Sequence, residues 1–109
     1  MEDKVLIVEG TSDRKRVKQV LDEEVDIICT YGTLGEEKLE TLILPIEDKE
    51  VYILVDADES GESLRKQLKR ELPNAVHLYT LKEYGQVETT PVHYLAQVLR
   101  AHFNVKDSH

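Results

Sequence analysis

The sequence predicts an α/β fold, a mostly parallel four-stranded sheet with helices on both faces. Two observations carry this. Strand-like and helix-like segments alternate four times along the 109 residues. Each strand-like segment is also a short continuous apolar run. A strand covered on both faces reads that way, whereas a sheet with one wet side alternates apolar and polar residues. The length fits one domain, read as 1–109 with a core over about 4–80 and a closing helix over about 91–102.

The first run, Lys4 to Val8, reads KVLIV and ends at Gly10. Thr11, Ser12 and Asp13 then offer helix N-caps, and Val17, Val20 and Leu21 recur at helical spacing, so 12–22 is a helix. Val25 to Cys29 is the second strand, closed by Thr30-Tyr31-Gly32. From Gly35 a helical stretch shows Leu39, Leu42 and Ile43 on one face until Pro45 stops it. Val51 to Val55 is the third strand and runs into Asp56-Ala57-Asp58-Glu59-Ser60-Gly61. The next helix has Leu64, Leu68 and Leu72 on its apolar stripe and is broken at Pro73-Asn74. Ala75 to Tyr79 is the fourth strand. Residues 80–90 are polar and irregular, with Gly85 as a turn. Thr90-Pro91 opens the last helix, and the polar tail from Asn104 is expected to fray.

The formal net charge is −8, which argues against non-specific wrapping of a duplex. Basic residues nevertheless cluster. Arg14, Lys15, Arg16 and Lys18 stand against Asp13 alone, and Arg65, Lys66, Lys69 and Arg70 stand against Glu62 and Glu71. Cys29 is the sole cysteine, so no intramolecular disulfide can form. Neither a signal peptide nor a run long enough to span a membrane is visible, and a soluble cytoplasmic protein is expected.

In open parallel sheets, ligands bind beyond the carboxyl ends of the strands. Glu9 follows the first strand, and Asp56 with Asp58 follows the third. If those strands are neighbours, three carboxylates meet and repel one another unless a cation sits among them. Oxygen donors suit Mg2+ or Mn2+. Asp residues at a strand-to-helix junction can equally be caps and turn formers. Gly61 would let the chain turn tightly, and the helix start beside it could accept a phosphate.

These residues resemble the motifs of Toprim domains. Glu9-Gly10 after an apolar strand, with Asp13 following, is similar to the family's first motif. Asp56-Ala57-Asp58 with Gly61 is similar to its Asp-x-Asp motif. Within the family the chain most resembles the ribonuclease that matures 5S ribosomal RNA, through Val8-Glu9-Gly10, Asp13, Gly32, Gly61-Glu62, Arg65-Lys66 and the stretch around Gly85, Glu88 and Pro91. Those enzymes carry a further C-terminal region, so the chain looks like a small stand-alone Toprim protein. The resemblance implies that Glu9 is the general acid/base and that Asp56 and Asp58 hold the metal. Asp13 is either a further ligand or a helix cap. It also implies a nucleic-acid partner, structured RNA or DNA.

Arg14, Lys15, Arg16, Arg65 and Lys66 are the candidate backbone contacts, weighed against an ordinary solvated face. Gly10, Gly32 and Gly61 are the candidate points of close phosphate approach. Tyr31 could stack a base, and Tyr84 has a weaker claim. His77, His93, His102 and His109 show no zinc-ligand spacing. The leading expectation is a metal-dependent nuclease. The alternative is a non-catalytic module that binds metal or nucleic acid for a protein partner, which the acidic charge favours. A receiver-like signalling domain fits poorly, because Asp56 is followed by a second Asp and a Gly-led helix start.

Overall fold

The computed structural model describes residues 3–106, with Lys82 described by its backbone alone; the terminal His109 lies outside them. Four strands form one sheet: β1 (Lys4–Val8), β2 (Asp26–Cys29), β3 (Glu50–Leu54) and β4 (Val76–Leu78), in the spatial order β2-β1-β3-β4. All three pairings are parallel, with Ile7 opposite both Ile28 and Ile53, and Ile53 opposite His77. The sheet is therefore wholly parallel.

Alternation along the central strands explains the continuous apolar runs. Leu6, Val8, Tyr52 and Leu54 point to one face, where α1 (Thr11–Val20) and α4 (Val92–Arg100) cover them with Val17, Val20, Leu95 and Leu99. Val5, Ile7, Val51, Ile53 and Val55 point to the other. There α3 (Glu59–Glu71) supplies Leu64 and Leu68, and the region after β2 supplies Ile43 and Ile46. Each of these side chains is buried, and each full burial contributes roughly 1.5–3 kcal/mol. The edge strand β4 is less covered than its run suggests: Val76 is exposed and His77 half-buried.

Most differences from expectation have local causes. The segment after Gly35 is not one regular helix. A single turn, α2 (Glu36–Lys38), widens into a π-helical stretch at Leu39–Ile43 and tightens to a 3-10 turn at Leu44–Ile46. Pro45 has no N–H and cannot continue the α-helical ladder. Residues 80–90 contain two 3-10 turns, Lys82–Tyr84 and Val87–Thr89, with Gly85 between them at φ 71°. The tail does not fray over Asn104–Lys106. The Asp22 N–H donates to the Asn104 carbonyl at 2.8 Å and the Lys106 N–H to the Val20 carbonyl at 2.9 Å, while Val105 bridges Leu21 in antiparallel fashion.

Candidate metal centre at the carboxyl edge of the sheet

Glu9 leaves the end of β1, and Asp56 lies just past β3. Because those strands are neighbours in parallel register, their carboxyl ends lie side by side. The Asp56 N–H donates to Glu9 Oε1 at 2.9 Å, locking one strand end to the other. Asp58 is the N-cap of α3, its Oδ1 accepting the Gly61 N–H at 2.8 Å. Asp56 Oδ1 accepts the Val87 N–H at 2.8 Å. One ligand oxygen from each of Glu9, Asp56 and Asp58 falls within 4.8 Å of the others.

Electrostatics favour a cation here. Burial holds the Glu9 carboxyl above the usual range; the Asp56 N–H opposes this, and Asp56, Asp58 and Asp13 add repulsion. Asp56 is raised by burial too, against the Val87 N–H, with Asp58 and Glu88 adding to the rise. Among the described residues no lysine or arginine forms an ion pair with any of the three carboxylates. An all-oxygen set with no cationic side chain fits a hard divalent ion, whose remaining positions water and phosphate can fill.

The other candidates separate into distinct roles. Asp13 is buried and accepts the Gly10 N–H at 3.0 Å, which gives it the capping role at the start of α1. Burial raises its carboxyl, opposed by that N–H and helped by Asp56 and Glu88. Lys15 and Lys66 are exposed. Arg14 is half-buried, its Nη2 reaching Cys29 Sγ at 3.0 Å and the Tyr31 hydroxyl at 3.3 Å. Arg16 is also half-buried and donates to the Thr90 carbonyl, tying α1 to the start of α4.

Arg65 corrects the sequence expectation. It is 2% exposed and donates to the carbonyls of Leu78 at 2.6 Å and Val55 at 3.3 Å, with Nη1 3.1 Å from His77 Nδ1. It rivets α3 to β3 and β4 and has no surface left for a phosphate. The signal was in the spacing: Gly61, Leu64, Arg65 and Leu68 follow the i, i+3, i+4, i+7 pattern of a buried helix face.

Gly61 is corrected as well. Its N–H is already taken by Asp58, and a Cβ there would lie 1.9 Å from the Asp56 carbonyl oxygen. Its smallness serves the protein's own backbone. The Gly10 N–H is likewise held, by Asp13. Gly32 has φ 105° and open space where a side chain would be.

Sequence reasoning missed the contribution of residues 85–87. The Ala57 N–H donates to the Gly85 carbonyl at 2.8 Å, so this segment clasps the Asp56–Asp58 loop through Gly85 and Val87 together. The similarity around Gly85 and Glu88 was the available sign. A concavity of about 970 Å³ lies at the opposite edge among Asp3, Lys4, Glu23, Glu24 and Asp26, away from the carboxylate trio.

Comparison with known proteins identifies the family and the fold. The Toprim domain matches residues 4–91. The Bacillus subtilis protein YusF, described as uncharacterized, is 54% identical over 104 residues, covering 94% of this chain and 71% of that one. A Ribonuclease M5 of Fusobacterium nucleatum is 30% identical over 95% of this chain and 61% of its own length. That of Mycoplasma genitalium is 33% identical over 71% of this chain and 43% of its own. The chain thus spans about half the length of these ribonucleases. A solved small TOPRIM domain protein from Bacillus stearothermophilus superimposes with a TM-score of 0.89 at 48% identity, over 97% of this chain and 91% of that one.

Proposed function

The chain belongs to the Toprim family, and from that premise we propose that it is a nucleic-acid-processing protein whose Glu9, Asp56 and Asp58 hold Mg2+ or Mn2+ for phosphodiester hydrolysis. The observation that carries this is the convergence of the three carboxylates within 4.8 Å, with no lysine or arginine ion-paired to them among the described residues. A divalent cation bound there would lower the pKa of a coordinated water and neutralise charge on the phosphoryl oxygens.

The chain's own residues supply the rest. Val87 and Gly61 orient Asp56 and Asp58 through their N–H groups, as outer-shell donors orient metal ligands generally. Glu9 is fixed through Oε1 by the Asp56 N–H, which orients its carboxyl beside the metal position for proton transfer. The named ribonucleases support RNA as the first substrate to try. A cytoplasmic location goes with this reading; among the described residues no helix is long and apolar enough to cross a membrane.

The test is a nuclease screen in Mn2+ with structured RNA, single-stranded DNA and duplex DNA, comparing wild type with Glu9→Gln. Cleavage by wild type that is lost in Glu9→Gln supports hydrolysis; cleavage that survives the substitution removes Glu9 from the mechanism. Calorimetric titration should show Mn2+ binding that Asp56→Asn with Asp58→Asn abolishes, and unchanged affinity in that variant would sink the site. Metal binding without cleavage would favour the second reading, a binding module working with a protein partner. The net charge of −8 supports that alternative.

A further inference from the structure

Tyr31 stands apart from the other aromatic residues. It follows β2 at the same edge of the sheet as the carboxylates, is 63% exposed, and has φ 53°. That left-handed conformation is uncommon for a bulky residue; Gly and Asn adopt it more readily.

The residue is nevertheless held at several points. Its N–H donates to the Glu9 carbonyl at 2.7 Å. Its hydroxyl lies 3.3 Å from both Thr11 Oγ1 and Arg14 Nη2. Lys38 Nζ donates to the Thr30 carbonyl at 2.6 Å and to the Tyr31 carbonyl at 3.3 Å. The polar atoms are tethered while the ring is bare. The other four of the five tyrosines pack their rings: Tyr52 on His102 and Phe103, Tyr79 on His77 and Arg65, Tyr84 and Tyr94 on each other. Among the described residues no ring or cation packs on Tyr31.

We propose that Tyr31 is a stacking platform for an unpaired nucleobase next to the phosphate that a divalent cation at Glu9, Asp56 and Asp58 would hold. The proposal rests on the nucleic-acid reading above and narrows its substrate to strands unpaired at that position. Aromatic side chains take bases splayed from loops and single strands, whereas a base within a duplex has both faces covered. The Tyr31 N–H is bonded to the main-chain carbonyl of Glu9, which sets the end of β2 beside the end of β1, so one strand crossing that edge could meet both the ring and the carboxylates. Arg14, beside the hydroxyl, puts positive charge where the sugar–phosphate backbone would pass. The platform is indifferent to base identity, because every base has a π-face.

The test uses the full chain in Ca2+, with fluorescein-labelled single-stranded RNA or DNA, whichever wild type binds more tightly. Tyr31→Asn suits the left-handed backbone and removes the ring. It is expected to lose about tenfold in affinity for the single strand while keeping its melting temperature and its affinity for a duplex. The chain has no tryptophan, so Tyr31→Trp gives one reporter at the site. Its emission should be quenched by the strand and not by an abasic sugar–phosphate strand of equal length. Wild-type affinity in Tyr31→Asn, or unquenched emission from a Tyr31→Trp protein that binds the strand, would overturn the platform. If wild type binds no strand at all, the nucleic-acid reading fails and the platform fails with it.

Discussion

A methyl group at position 61 would sit 1.9 Å from the Asp56 carbonyl oxygen. Helix propensity alone favours alanine over glycine by about 1 kcal/mol, but here the clash decides the sign. The opposing atom is backbone, so no rotamer relieves it. Gly61→Ala is expected to destabilise the protein by about 2–4 kcal/mol in urea unfolding. It should also weaken Mn2+ binding, because the displaced residue is Asp56. His77 gives a second prediction at this scale. Burial, then Arg65 and Lys69, lower its pKa below the usual 6.5, and Nδ1 faces a guanidinium that can only donate. The unfolded chain therefore takes up the proton first as pH falls. Stability from neutral His77 is present above about pH 6.5 and is lost below it. Urea midpoints at neutral and mildly acid pH should show that acid-induced loss in wild type, and less of it in His77→Asn. Single residues were only partly legible in the sequence. Lys66 and Arg65 carry like charge and stand side by side, yet one is exposed and the other buried, because one helical step turns a side chain about 100°.

The elements were legible where a period existed. KVLIV and VYILV announce strands covered on both faces, and Leu64, Leu68 and Leu72 announce the buried stripe of α3. The region 80–90 has no period, because its 3-10 turns are too short to repeat and are closed by local bonds such as Tyr84 N–H to the Leu81 carbonyl and Thr90 N–H to the Val87 carbonyl. Its importance shows only in three dimensions, where Gly85 and Val87 hold the loop after β3. Val87→Pro tests that function, while also replacing a fully buried core side chain. Val87 opens a 3-10 turn, a position where proline is tolerated, and Gln86 before it is already extended at φ −110° and ψ 155°. The substitution removes the N–H that Asp56 Oδ1 accepts. Mn2+ affinity is expected to fall about tenfold with circular dichroism unchanged. Full affinity in that variant would show that Asp56 needs no such support.

The whole molecule brings the site together through strand order. Glu9 and Asp56 are far apart in sequence, and only the β2-β1-β3-β4 arrangement makes their strands neighbours. Apolar patterning told of a parallel sheet but not of its order; the acids at two strand ends pointed to the pairing of β1 with β3. Net charge has its consequence at this scale too. With Arg65 buried and Arg16 tied to Thr90, Arg14, Lys15 and Lys66 remain of the five candidate basic contacts. Contact with about three phosphates predicts a slope near −2 for log affinity against log salt on a single strand. A much steeper slope in anisotropy titrations would mean a larger basic footprint. At the other edge of the sheet, Lys4 Nζ donates to the His102 carbonyl at 2.7 Å, and Val105 bridges Leu21. The backbone thus enters β1 and leaves α4 on the side remote from the carboxylates. With Lys4 and Lys106 joined by a linker, new ends could be opened in an exposed loop such as Pro73-Asn74, giving a circular permutant with its three carboxylates undisturbed.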